Sequence, residues 1–158
     1  MRVDQVKSIV PYYYYPTLKN LQRESLSIGK NAYQLLFFGQ YNQSLNLAKL
    51  AVKINKTDEK LWIILAEAQI ANKLYKKALN SLNKAEKINS GISEIYFAKS
   101  NIYFQISQPK NAKTALEKGL RIEPNNHKAI FQLGNILLME KNYLEAINLF
   151  DKSIKIKP

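Results

Sequence analysis

Asn101 and Asn135 stand one above the other in a chain that repeats every 34 residues, and each has a phenylalanine four places before it, Phe97 and Phe131. An asparagine side chain offers both donors and an acceptor, which suits the backbone of a bound peptide. Amides beside apolar pockets are what a groove for an extended segment or a helix requires. The apolar residues recur as well. Ile63, Phe97 and Phe131 make one row at this interval, and Ile70, Phe104 and Leu138 make a second. Glu67 holds the asparagine place one interval earlier. Exposed, such aligned rows mark a contact surface. Buried, the same aromatics would be core between repeats, and the asparagines would be a matter of composition.

Bond-making chemistry has less footing. The chain has no cysteine, which excludes a thiolate nucleophile, a disulfide framework and thiolate metal sites. His127 is the single histidine, and at the start of a helix it reads as a solvated first-turn residue. No glycine-rich phosphate loop, nucleophile elbow or metal-ligand spacing occurs. The 12 carboxylates are scattered, with Glu67 and Glu94 the one acidic pair placed near the groove rows. The expectation is a non-enzymatic protein with neither cofactor nor metal.

The net charge of +12 raises the question of an anionic partner. The cations are 21 Lys and three Arg, beside 16 Asn and 17 Ile. Lys, Asn and Ile share AT-rich codons, so genome composition accounts for much of the basicity. Lys53, Lys87, Arg121 and Lys155 nevertheless share one place in the interval, three residues after the Lys84, Lys118 and Lys152 series. Residues three apart on a helix are neighbours, so these form a basic ridge. It is either a solvated face or a dock for an anionic membrane or nucleic acid. Its shortage of arginine and of interleaved aromatics argues against sequence-specific nucleic-acid reading.

The elements that must position these residues are helices. Trp62, Leu65, Ala66 and Gln69 fall at helical spacing over residues 59–72, with Asp58 available as a cap. After a break near Asn72–Leu74, Tyr75, Ala78, Leu79, Leu82 and Ala85 form one face of a second helix. The pattern returns at the fixed interval. Trp62, Tyr96 and Ile130 coincide, as do the small residues Ala66, Ser100 and Gly134, and Ala78, Ala112 and Ala146. Leu82, Leu116 and Phe150 coincide, then Ala85, Gly119 and Ser153. A fixed period with size-matched positions is the mark of a repeat array, and small residues at fixed places let two helix backbones approach.

On these residues the chain resembles the tetratricopeptide repeat family, best in "IFQLGNILLMEKNYLEAINLFDKSIKIKP". The resemblance implies an all-α fold, a right-handed superhelical solenoid of antiparallel helix pairs. Repeats are expected at 25–58 (degenerate, with Asn31, Ser44 and Lys56 out of pattern), 59–92, 93–126 and 127–158. The unit at 93 departs at Lys99, where leucine is usual, and at Pro109, expected in the turn between helices. Residues 1–24, with "PYYYYPTL", are expected to cover the first repeat, the alternatives being a tyrosine-rich docking or membrane-interface segment or a disordered lead, and Thr17 is a candidate cap for a helix extended backwards through Leu18 and Leu21.

The family's groove-facing positions map here onto Ile63, Glu67, Ile70, Phe97, Asn101, Phe104, Phe131, Asn135 and Leu138. The lysine and asparagine clamp by which some members grip a terminal carboxylate is absent: its places hold Gly29 and Tyr33, Ile63 and Glu67, or Phe97 and Asn101. The expected partner is therefore a peptide or helix of another protein, and not a chaperone tail held by that clamp. No polar helix caps the last repeat, so self-association there is a further expectation. No apolar run approaches the roughly 18–20 residues that span a bilayer. The start "MRVDQVKSIV" lacks a signal-peptide core, so a cytoplasmic location is expected. Replacing Ala112 with Leu should overpack the helix contact and cost roughly 1–3 kcal/mol. An unchanged thermal melt would refute the repeat register.

Overall fold

The computed structural model describes residues 17–157; the Tyr12–Tyr15 run, the rest of the segment before Thr17, and Pro158 lie outside the described residues. Among the described residues there are eight helices and no strand. They are α1 (Leu18–Phe37), α2 (Tyr41–Ile54), α3 (Glu59–Ala71), α4 (Tyr75–Ile88), α5 (Ser93–Gln105), α6 (Pro109–Ile122), α7 (His127–Met139) and α8 (Tyr143–Ile156). Every start from α2 onward recurs 34 residues later: 41, 75, 109 and 143 for the even helices, and 59, 93 and 127 for the odd ones. Each odd helix pairs with the even helix after it, and successive pairs stack. The architecture is an all-α solenoid.

α1 is the exception in length. The interval predicts a start at 25, but the helix begins at Leu18, two turns earlier. Thr17 supplies the reason, because its hydroxyl accepts from the Asn20 N–H at 3.3 Å and ends the chain of unsatisfied donors there. Asp58 caps α3 in the same way, accepting from the Lys60 N–H at 2.9 Å. Asn126 caps α7 by accepting from Ala129 at 3.0 Å. Pro109 does not sit in the turn between helices. It is the first residue of α6, where its missing N–H has no intrahelical partner to lose.

One device makes all four turns inside the pairs. Gly39, Lys73, Ser107 and Lys141 have φ of 72°, 58°, 59° and 63°, in the left-handed region. The next residue donates back across the turn: Gln40 to Leu35, Leu74 to Gln69, Gln108 to Tyr103 and Asn142 to Leu137, at 2.8–2.9 Å. This is the Schellman closure, which satisfies the last carbonyls of each odd helix. Only the first turn uses glycine.

The two helices of a pair meet at small residues. Ala32, Ala48, Ala66, Ala78, Ala112 and Ala146 are all fully buried. Ser44, out of pattern in the first repeat, fits because its hydroxyl donates to the Ala32 carbonyl at 2.7 Å. Where one side enlarges, the other shrinks. A Cβ on Gly134 would lie 2.6 Å from Phe150, and one on Gly119 would lie 2.4 Å from Phe97, so glycine alone leaves room for either ring.

Near the starts of α3 and α5, Trp62 and Tyr96 occupy equivalent buried places. The Trp62 indole donates to the Lys56 carbonyl at 2.9 Å, and the Tyr96 hydroxyl to Ser90 at 3.1 Å, each six residues back. Lys99, in a leucine place, is 8% exposed. It is accommodated by an ion pair with Glu86 of α4. Burial pushes the Glu86 carboxyl up, but Lys99, with Lys118 beyond it, holds it below the usual carboxylate range.

The left-handed turns yield a stability prediction. A left-handed non-glycine residue costs roughly 1–2 kcal/mol, partly offset by the greater freedom glycine has in the unfolded chain. Lys141→Gly should therefore raise stability by roughly 0.5–1 kcal/mol in denaturant unfolding.

Candidate functional site

The helix α3, enclosed by its neighbours on several sides, is apolar nearly all round, as "LWIILAEAQIA" shows. The side that the odd helices leave open forms a concavity. A cavity of about 780 Å³ is lined from α1 by Tyr33, Leu36 and Phe37, from α3 by Glu67, Ile70 and Ala71, and from α5 by Ser93, Glu94, Phe97, Ala98 and Asn101. Glu123, Asn126 and Gln132 close its far end. A second cavity of about 360 Å³ continues it between α5 and α7, lined by Asn101, Phe104, Phe131, Gln132 and Asn135 among others. Asn101 and Gln132 line both, so the two form one groove along the odd helices.

Seven of the nine residues expected to face a groove line it: Glu67, Ile70, Phe97, Asn101, Phe104, Phe131 and Asn135. Ile63 does not. It is 5% exposed and belongs to the core, because α1 packs along α3 at this level. Leu138 is exposed on α7 but lines neither cavity. The row of Ile63, Phe97 and Phe131 is thus graded, from buried through half-buried to 49% exposed. Phe97 rests on Gly119, and the Phe131 ring tilts against Phe150 with centroids 5.3 Å apart.

Tyr33 and Leu36 are lining residues beyond the expected set. The signal for them was present, since they stand 34 residues before Glu67 and Ile70 in the degenerate first repeat. Ser93, Glu123 and Asn126 come from helix ends and the connecting loop, where periodicity carries no information. There the Ser93 hydroxyl donates to Glu123 at 2.9 Å.

The groove brings Glu67 and Glu94 together. Burial, and then the Glu94 charge, push the Glu67 carboxyl up to about 7. Among the described residues, no three His, Asp or Glu side chains cluster so as to hold a metal ion, and no helix is long and apolar enough to cross a membrane.

The basic ridge lies elsewhere. Lys53, Lys87, Arg121 and Lys155 are exposed, and each sits in the last turn of an even helix. A cation there complements the negative end of the helix dipole, which gives this series a structural role independent of any partner. In the companion series, Lys84 lies 4.3 Å over the Trp62 ring and Lys118 lies 5.9 Å over Tyr96. On α8, Leu144, Ile147 and Ile154 are 74%, 56% and 59% exposed, leaving an apolar face.

Two tetratricopeptide repeat models match the chain, at residues 93–126 and 115–148. The chain is 29% identical over 121 residues to the formate-dependent nitrite reductase complex subunit NrfG of Escherichia coli O157:H7. That match takes in 73% of this chain and 61% of the relative, so the chain spans less than two thirds of NrfG. Among solved structures, MamA superposes with a TM-score of 0.78 at 18% identity, over 89% of this chain and 86% of that one. The first repeat domain of Spaghetti (RPAP3), bound to the HSP90 peptide SRMEEVD, superposes with a TM-score of 0.72 at 20% identity. That match covers 76% of this chain and 95% of the other. At such identities these two likenesses show the fold.

The raised Glu67 carboxyl gives the groove a pH signature. Between pH 4.5 and about 7 the folded chain holds a proton there that the unfolded chain releases. The native state thus binds more protons across this window, and Glu67 lowers stability progressively as pH rises through it. Glu67→Gln should melt higher than the parent at pH 8, with the gap closing towards pH 4.5. A gap that does not change with pH would contradict this.

Proposed function

The chain is a tetratricopeptide-repeat protein, and on that premise we propose that it is a non-enzymatic scaffold whose concave groove holds a peptide or helix of a partner protein. The fold supports a role in protein–protein interaction. The observation that carries the finer reading is the groove itself, two cavities that share Asn101 and Gln132 and together reach from Tyr33 on α1 to Asn135 on α7. Its apolar wall remains accessible, with Phe104 46% and Phe131 49% exposed. Asn101, Gln132 and Asn135 offer amides beside that wall. Apolar side chains of a ligand would seat against the phenylalanines while its backbone bonds to the amides. The Spaghetti domain, held to a peptide, is a precedent for the fold in this role.

Asn101 and Phe104 are both exposed, so truncating them should leave the melt within about 0.5 kcal/mol of the parent. Asn101→Ala with Phe104→Ala should abolish recovery of proteins captured by the parent chain from its native cell. Equal recovery by both would remove the groove from the binding function.

A further inference from the structure

The charge of the groove is opposite to that of the protein. The chain carries +12, yet three of its 12 carboxylates (Glu67, Glu94 and Glu123) line the larger cavity and no described lysine or arginine does. The chain's cations are not drawn in to balance them. Among the described residues the two ion pairs are Lys99 with Glu86 and Lys113 with Glu140, neither in the groove. Glu67 sits where burial disfavours its charge, beside a second carboxylate. An arriving cation would cancel the repulsion between the two carboxylates, and its attraction would offset the burial penalty.

The apolar surroundings suit the rest of such a ligand. Tyr33 is 55% and Phe37 86% exposed at one end, and Ile70 and Phe97 lie between them and Asn101. A lysine or arginine carries its charge on an apolar stem, so the stem can lie on aromatic faces while the head meets carboxylates. Electrostatic complementarity then selects the partner and rejects acidic segments by repulsion.

We propose that the groove's occupant is a basic segment of a partner protein, with a lysine or arginine seated at Glu67 and Glu94 and flanking apolar residues seated against Tyr33, Phe37 and Phe97. This rests on the groove reading above and adds the chemical class of its ligand. It sets the groove apart from the Spaghetti domain, whose bound peptide, SRMEEVD, has three acidic residues among its last four.

The test uses the full chain and a random-peptide phage library at about 0.15 M salt. Selected peptides are synthesised, together with versions carrying Gln or Glu in place of each Lys and Arg. Binding is read by fluorescence anisotropy. The selected pool should be rich in Lys and Arg beside apolar residues. Neutralising the peptide should weaken binding at least about tenfold, and Glu67→Gln with Glu94→Gln should weaken it by a similar factor. Lys87→Gln with Arg121→Gln should leave it unchanged. Acidic selected peptides would overturn the inference, as would Gln versions that bind as tightly as their parents. The groove reading survives either result if Asn101→Ala with Phe104→Ala still weakens binding. Should that pair have no effect on any selected peptide, both readings fall.

Discussion

The close approach of two helix backbones inside each pair is the constraint on which the molecule depends. It requires small residues where α1 crosses α2, α3 crosses α4, α5 crosses α6 and α7 crosses α8. Ala32 and Ser44, Ala66 and Ala78, Ser100 and Ala112, and Gly134 and Ala146 fill those places, all buried. A larger side chain there would separate the helices and disturb the next pair through them, because protein interiors are close-packed and transmit strain. The departures keep the same spacing by local compensation. Ser44 brings a hydroxyl into the contact and satisfies it on the Ala32 carbonyl. Phe150 brings a ring and meets Gly134, which has no Cβ to obstruct it.

The groove follows from this packing. Once each odd helix is held by its own partner and by neighbouring pairs, one of its sides stays open, and the open sides line up. The packing of α1 along α3 modulates the result. Ile63 is buried there, and Tyr33, Leu36 and Phe37, in register with Glu67, Ile70 and Ala71, stand at the groove's end. Further along, the odd helices meet less closely, and the equivalent Phe131 remains half exposed. The groove thus changes from a partly acidic, aromatic end to an amide-lined end while the repeat itself stays regular.

The two lysine series show how one composition can serve different ends. Lys84 and Lys118 cover aromatic rings of the odd helix in their own pair, and the series three residues on sits at helix C-termini. Both placements are favourable in the isolated chain. Of the groove carboxylates, Glu94 lies in the first turn of α5 and Glu123 accepts from Ser93 and Asn126, but among the described residues none of the three forms an ion pair, and the ligand's charge is inferred from that imbalance and not from the positive total.

Periodicity was enough to read the helices, because a side chain's place in a 34-residue unit decides its neighbours whatever the individual letters. The bounds of α3 and α4, the Thr17 and Asp58 caps and most of the groove row were legible for that reason. The accommodation of Lys99 was not, since its partner Glu86 lies on the preceding pair. Pro109 at the first position of α6, in place of the turn, required knowing where the Schellman closure ends. Only tertiary structure decided that Ile63 is core while Phe131 is surface, and that Glu123 joins Glu67 and Glu94. These depend on how tightly successive pairs close on one another, a distance set by side chains from three or four helices at once. Residue types along the chain specify each hairpin, whereas exposure at a repeated position belongs to the stack.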